Sequence, residues 1–126
     1  MEDQYFEPLV VDEVHDTGWV ALTLTNCNQA NGWAACAVRV KEGVVFVRGA
    51  VTLSASMTSS STASRQLTTL PAGCRPAQNM LVNSGPRSNY ACIEIDADGA
   101  VKLWNRIGAA LGTSEVISLS AVFPAD

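Results

Sequence analysis

The 126 residues, 48% hydrophobic and only 16% charged, fit one domain that buries roughly two-thirds of its unfolded surface and so folds without a metal or disulfide staple. Charge is segregated: residues 1–38 carry Glu2, Asp3, Glu7, Asp12, Glu13 and Asp16 with no Lys or Arg, while all eight basic residues follow, for a net charge of −4. No basic stripe is available to neutralise phosphates, which excludes nucleic-acid binding of that kind; no apolar run reaches the ~20 residues of a membrane helix; and an acidic start is not a secretory signal, so synthesis in a cytosol is expected.

Residues 1–17 read as an acidic arm and residues 18–126 as the folded body. The body alternates apolar and polar side chains at a period of two, the signature of half-buried strands, and shows no helical periodicity. A first strand is expected over Trp19–Thr25, with Leu22 and Leu24 on one face and Thr23 and Thr25 on the other. Residues 26–33 are rich in Asn and Gln and read as a loop. Cys36–Lys41 and Gly43–Leu53 form the next two strands, joined by a tight hairpin in which Gly43 takes positive φ. Gly49, inside the second of these, marks a bulge or a bend onto another sheet. Residues 54–65, dominated by Ser and Thr, read as a mobile surface loop. Leu70-Pro71-Ala72-Gly73-Cys74-Arg75-Pro76 is a rigid elbow, because two prolines hold φ and a glycine permits a turn. Strands follow at Met80–Asn83, Tyr90–Asp96 and Ala100–Trp104, the last two joined by the hairpin signal Asp98-Gly99. A final strand over Glu115–Phe123 turns Ile117, Leu119, Ala121 and Phe123 inward. These elements predict an all-β fold, an antiparallel β-sandwich or jelly roll.

Chemistry-bearing patterns are sparse. The one histidine, His15, lies in the arm, away from any scaffold that could hold it against a nucleophile. Asp96-Ala97-Asp98-Gly99 has the beginnings of a calcium loop, but a strand follows at once, so the motif reads as a turn. As a pair of glycosidase carboxylates, Asp96 and Asp98 lack environments that would separate their roles. Cys27, Cys36, Cys74 and Cys92 are spaced too irregularly for a zinc or redox motif and read as free, buried thiols, although pairing after release from the cell stays open. No catalytic residue, metal or cofactor is assigned. Two loops have a composition suited to sugars, which bind to aromatic faces flanked by amide and guanidinium groups. The first holds Asn31 and Trp33, and the second holds Arg87, Asn89 and Tyr90. The plainer reading of Trp33 and Tyr90 is that they cap the core at strand ends.

The order of these features resembles the C-terminal β-sandwich domain of phage tail, baseplate and fibre proteins of the receptor-binding type. The resemblance is carried by Gly18-Trp19 at the start of a strand and by the hairpin Val38-Arg39-Val40-Lys41-Glu42-Gly43-Val44-Val45 running on to Gly49. It continues in the elbow Leu70-Pro71-Ala72-Gly73-Cys74-Arg75-Pro76 and in Asp98-Gly99-Ala100-Val101, and it spans residues 18–123. Cys74 departs from the pattern, standing where an aromatic residue is usual. The resemblance implies a homotrimer and a place in the virion at a tail tip, baseplate or fibre, with host-surface glycan as the partner and no catalytic set. Relatives tend to follow a long stem; here 17 residues precede Gly18-Trp19, so the arm, with Tyr5, Phe6, Leu9 and Val10 among its acids, is expected to dock on another virion protein. The competing expectation is a capsid decoration or cement protein with no ligand of its own; a carbohydrate-active enzyme is a third class, disfavoured by the missing catalytic groups. No nucleic acid and no membrane insertion are expected.

Overall fold

Alternation resolves into antiparallel strands, and two of the long expected strands each serve two sheets. The computed structural model describes residues 15–60, 63–83, 90–107 and 110–126, with the backbone alone at positions 90, 106 and 107. The regular structure among them is entirely β: β1 (Val20–Ala21), β2 (Cys27–Gln29), β3 (Ala37–Lys41), β4 (Val44–Arg48), β5 (Ala50–Leu53), β6 (Ser64–Thr69), β7 (Met80–Asn83), β8 (Tyr90–Ile95), β9 (Ala100–Ile107), β10 (Ile117–Ser118) and β11 (Ala121–Pro124). The sheets run β1-β3-β4-β11, β10-β5-β2 and β6-β9-β8-β7. One core joins their inner faces: Val38, Val45 and Val47 from the first, Val51, Leu53 and Ile117 from the second, Leu67, Ile93, Ile95 and Leu103 from the third. The fold is the antiparallel all-β sandwich that the periodicity predicts.

Both expected hairpins form. Lys41 pairs with Val44, so Glu42 and Gly43 alone make the β3–β4 turn. Both carry positive φ, 52° and 78°, the type I′ geometry whose twist matches the strands it joins. Between β8 and β9, Gly99 N–H donates to the Asp96 carbonyl at 2.8 Å and Asp96 N–H to the Ala100 carbonyl at 2.9 Å. Gly99, at φ 93°, supplies the left-handed residue that completes this turn and bulge.

Gly49 is a bend, not a bulge within one sheet. Before it β4 pairs with β11, and after it β5 pairs with β10. The backbone there lies against Cys36 so closely that an added Cβ would sit 2.5 Å from the Cys36 Cα and 2.7 Å from its Sγ. The expected single strand Glu115–Phe123 is therefore two strands, broken where Leu119 N–H reaches the Gly49 carbonyl at 2.9 Å. Its inward set survives the break, with Ile117, Leu119, Ala121 and Phe123 all buried, because the core follows the bend.

Three other expectations need correction. The first strand covers Val20–Ala21 alone; residues 22–26 then cross between sheets, with Leu22 N–H on the Cys36 carbonyl and Thr25 N–H on the Leu67 carbonyl. Leu22 and Leu24 still pack on the core. The expected loop over residues 26–33 contains β2, because Asn26 turns the chain at φ 64° and lays Cys27–Gln29 along the free edge of β5. The Ser/Thr stretch is tethered. Met57 is buried and exchanges two backbone hydrogen bonds with Leu111, Asn105 donates its side-chain amide to the Met57 carbonyl at 3.1 Å, and Arg65 binds the Ala55 and Ser56 carbonyls. Ser64 and Arg65 already belong to β6. That strand escaped the alternation test because its register with β9 shifts between Gln66 and Thr68, so Leu67 and Thr68 are buried side by side.

The elbow and the Asp98-Gly99 hairpin prove to be one contact. Leu70 N–H donates to the Gly99 carbonyl at 2.8 Å, and Arg75 Nε returns to the Leu70 carbonyl at 2.9 Å. A Cβ on Gly99 would lie 2.6 Å from both Arg75 Nε and the Leu70 oxygen. Cys74, within the elbow, is buried. All four cysteines are free thiols. Burial pushes the Cys27 thiol up to about 11 and raises those of Cys36 and Cys74, so these three act as small apolar groups.

Replacing Gly49 with Ala sets a side chain into the backbone of Cys36 and forces φ +121° on a residue that resists it. The expected cost is on the order of 3 kcal/mol, read as a lower urea midpoint at unchanged slope.

Candidate functional site

Three surface regions carry chemistry. The first is the β2–β3 loop, where the sequence placed Asn31 and Trp33. Ala30 is buried and fixed by its N–H to the Ala50 carbonyl at 2.9 Å. Trp33 N–H turns back to the Ala30 carbonyl at 3.3 Å. Gln29 braces the rest: its Nε2 donates to the Ala34 carbonyl at 2.7 Å, and its Oε1 accepts from Cys36 N–H at 2.8 Å. The outcome is an indole that is 60% exposed on a loop held at both ends. An exposed tryptophan on a braced loop loses little conformational freedom on binding, which suits a contact residue. The core-capping reading of Trp33 does not hold.

Of the companion loop, the backbone of Tyr90 is described. Arg87 and Asn89 lie outside the described residues, as do Tyr5, Phe6, Leu9 and Val10 of the arm. Tyr90 starts β8, its backbone paired with Ile107. The described arm residues next to the body run along β3: Glu42 N–H donates to the His15 carbonyl, Thr17 N–H to the Val40 carbonyl, and Val40 N–H to Thr17 Oγ1.

The second region surrounds Trp19. The Arg48 guanidinium stacks on its ring at 4.0 Å and that of Arg39 lies at 5.8 Å. Arg39 grips both oxygens of Asp16, Nε to Oδ1 at 2.8 Å. That hydrogen bond, with Gly18 N–H on Oδ1, holds the Asp16 carboxyl well below the usual carboxylate range. This cluster clasps the entry of the chain to the edge of the first sheet.

The third region was missed by the sequence reading. On the outer face of the third sheet, Glu94 stands opposite Lys102 and Leu81, and Cys92 opposite Trp104. The Trp104 indole N–H donates to Glu94 Oε1 at 2.9 Å, and Lys102 Nζ lies 2.8 Å from Asp96 Oδ2. Asp96 is buried, and its Oδ1 has no donor. The Asp96 carboxyl beside it, then burial, raise the pKa of Glu94. Burial opposes the charge on Asp96, but its neighbours Glu94 and Lys102 outweigh it and its pKa falls. A signal for this grouping did exist: the Asp98-Gly99 hairpin sets the register that brings Glu94 to Lys102.

Asp96 and Asp98 serve the turn, Asp98 Oδ1 accepting from Ala100 N–H at 3.0 Å, so neither the calcium nor the glycosidase reading gains a geometry. Among the described residues, no group of three or more His, Cys, Asp or Glu side chains is placed to hold a metal ion.

No family model matches the chain and no curated protein matches it. Solved structures do. The head domain of the lactococcal phage bIL170, described among receptor-binding domains of lactococcal phages, shares the fold at a TM-score of 0.56, with 18% identity over 83% of this chain and 99% of that one. The likeness extends over nearly all of that domain and is a likeness of fold.

Because the folded protein holds a proton on Glu94 more tightly than the unfolded chain does, stability is lost from this group as pH rises above its ordinary value of 4.5. Asp96 acts oppositely, losing stability only as pH falls below its ordinary 3.8. Glu94→Gln keeps an acceptor for Trp104 and removes the charge. Its thermal midpoint is expected to exceed the parent's at about pH 7, and the gap to close towards about pH 4.

Proposed function

We propose that the chain is a non-enzymatic virion protein of a phage tail tip, baseplate or fibre, contributing to attachment to a glycan on the host surface. The observation that carries this reading is the fold shared with the bIL170 head domain across 99% of that domain. The braced, exposed Trp33 supports it from the chain's own chemistry. Trp33 and Asn31 supply an aromatic face and an amide, the pair a pyranose ring stacks on and hydrogen-bonds to. Arg87, Asn89 and Tyr90 are the partners proposed from the second loop. The protein acts as a homotrimer, and residues 1–17 dock it on a neighbouring virion protein through Tyr5, Phe6, Leu9 and Val10, by strand addition or by wrapping.

Labelling intact particles with an antibody to this chain tests the placement. Signal at the tail tip is expected; signal spread over the head makes it a decoration protein instead and ends the receptor reading.

Trp33→Ala is expected to weaken binding of the purified protein to host cells at least tenfold, about 1.4 kcal/mol. Since the ring is largely exposed, folding stability stays within about 0.5 kcal/mol of the parent. Cell binding measured beside a denaturation curve separates the two effects.

A further inference from the structure

At the β7 edge of the third sheet, Asn79, Met80, Leu81 and Glu94 line a pocket of about 400 Å³. Asn79, Leu81 and Glu94 share one face: Asn79 and Leu81 are two residues apart along the chain, and Leu81 pairs with Glu94. Each polar group has one atom engaged and one to spare. Asn79 Oδ1 accepts from Ala97 N–H at 2.9 Å, which orients the amide and leaves its NH2 to donate. Glu94 Oε1 accepts from the Trp104 indole, leaving Oε2 to accept from outside. Leu81, 63% exposed, is an aliphatic floor that no part of the described chain covers.

The chemistry narrows the ligand. An anion meets the Glu94 carboxyl, and Lys102, opposite Glu94 on β9, is already paired with Asp96. A metal ion finds too few ligands among the described residues. A neutral ring with hydroxyls that both donate and accept, and with an apolar C–H face, matches a donor and an acceptor set around an exposed aliphatic surface.

We propose that this pocket is a second saccharide subsite, taking one neutral hexose unit of a glycan and separate from the Trp33 loop. The proposal rests on the glycan-attachment reading and assigns it a further set of residues. Affinity for a single sugar in so open a site is expected on the order of 1 mM or weaker.

The test is a nitrogen–proton NMR titration of the full chain with glucose, galactose and N-acetylglucosamine. Trp104 is a built-in reporter, since its indole N–H sits on Glu94. Saturable shifts of the Trp104 indole and the Asn79 side-chain amide with at least one of these sugars are expected. Leu81→Asp charges the exposed floor, and Asn79→Asp keeps the acceptor for Ala97 while removing the donor. Both are expected to weaken the titration at least tenfold and to leave the rest of the spectrum in place. Absence of saturable shifts with all three sugars, shifts confined to the Trp33 indole, or unchanged titrations in both variants would overturn the subsite. Failure of the protein to adsorb to host cells while the Trp104 and Asn79 signals still titrate would remove the attachment function and leave the subsite standing.

Discussion

Where Gly49 meets Cys36, a backbone without a side chain lies on the Cα of the residue that leads into β3, and the chain passes from the first sheet to the second. Interiors pack at crystal density, so a contact this close admits no substituent. The consequences reach in both directions. Leu119 follows the same bend by donating to the Gly49 carbonyl, which carries the last strand pair across with the first. Cys36, pinned beneath the bend with its thiol on the Ala50 carbonyl, offers its N–H to Gln29, and Gln29 braces the loop that presents Trp33. The packing that bends the sheet therefore also orders a surface loop.

The third sheet is tied to the rest by backbone carbonyls. Leu67 stands at a register shift in β6, and its carbonyl accepts from Thr25 N–H at 2.7 Å and from the Cys27 thiol at 3.6 Å. A bulge that frees one carbonyl for a crossing segment is a common way to join sheets that share a core. Thr68, buried, adds its hydroxyl to the Thr23 carbonyl. Between Val20 and Gln29 the chain thus hydrogen-bonds to all three sheets. At the opposite end, Arg75 over Gly99 couples the proline elbow to the β8–β9 hairpin, which gives a physical reason for the two motifs to occur together.

The three surface regions differ in what they have left to offer. Around Trp19 the ionic groups are largely consumed, Arg39 by Asp16 and Arg48 by the indole face. Around Glu94 and Asn79 half of each polar group is engaged inside and half faces out. At Trp33 the ring itself is the free surface, and its supports are all backbone and amide. A fold shared with a phage receptor-binding head domain does not choose among these regions, because function belongs to sites rather than to folds.

Local pattern alone determined the strand class, the inward sets of β3 and of the last two strands, and both hairpin turns. Val38 and Val40, Ile93 and Ile95, and Ile117 through Phe123 face the core because a two-residue period leaves them no alternative once one face is buried. Glu42-Gly43 and Asp98-Gly99 were legible because few residues tolerate positive φ. Trp33 and Asn31 were legible as a candidate site because an Asn-rich loop has no core to join. Tertiary structure decided what alternation cannot encode. Gly49 was ambiguous between bulge and bend until Cys36 was seen beneath it. Cys27–Gln29 became a strand because β5 offered an edge, and β6 was hidden by a register shift that buries two neighbours together. Met57 and Asn105 turned a Ser/Thr stretch into a tethered one. Glu94, Lys102, Trp104, Asn79 and Leu81 were brought to one face by strand register, since contact between residues distant in sequence is set by pairing and packing and leaves no mark in local composition.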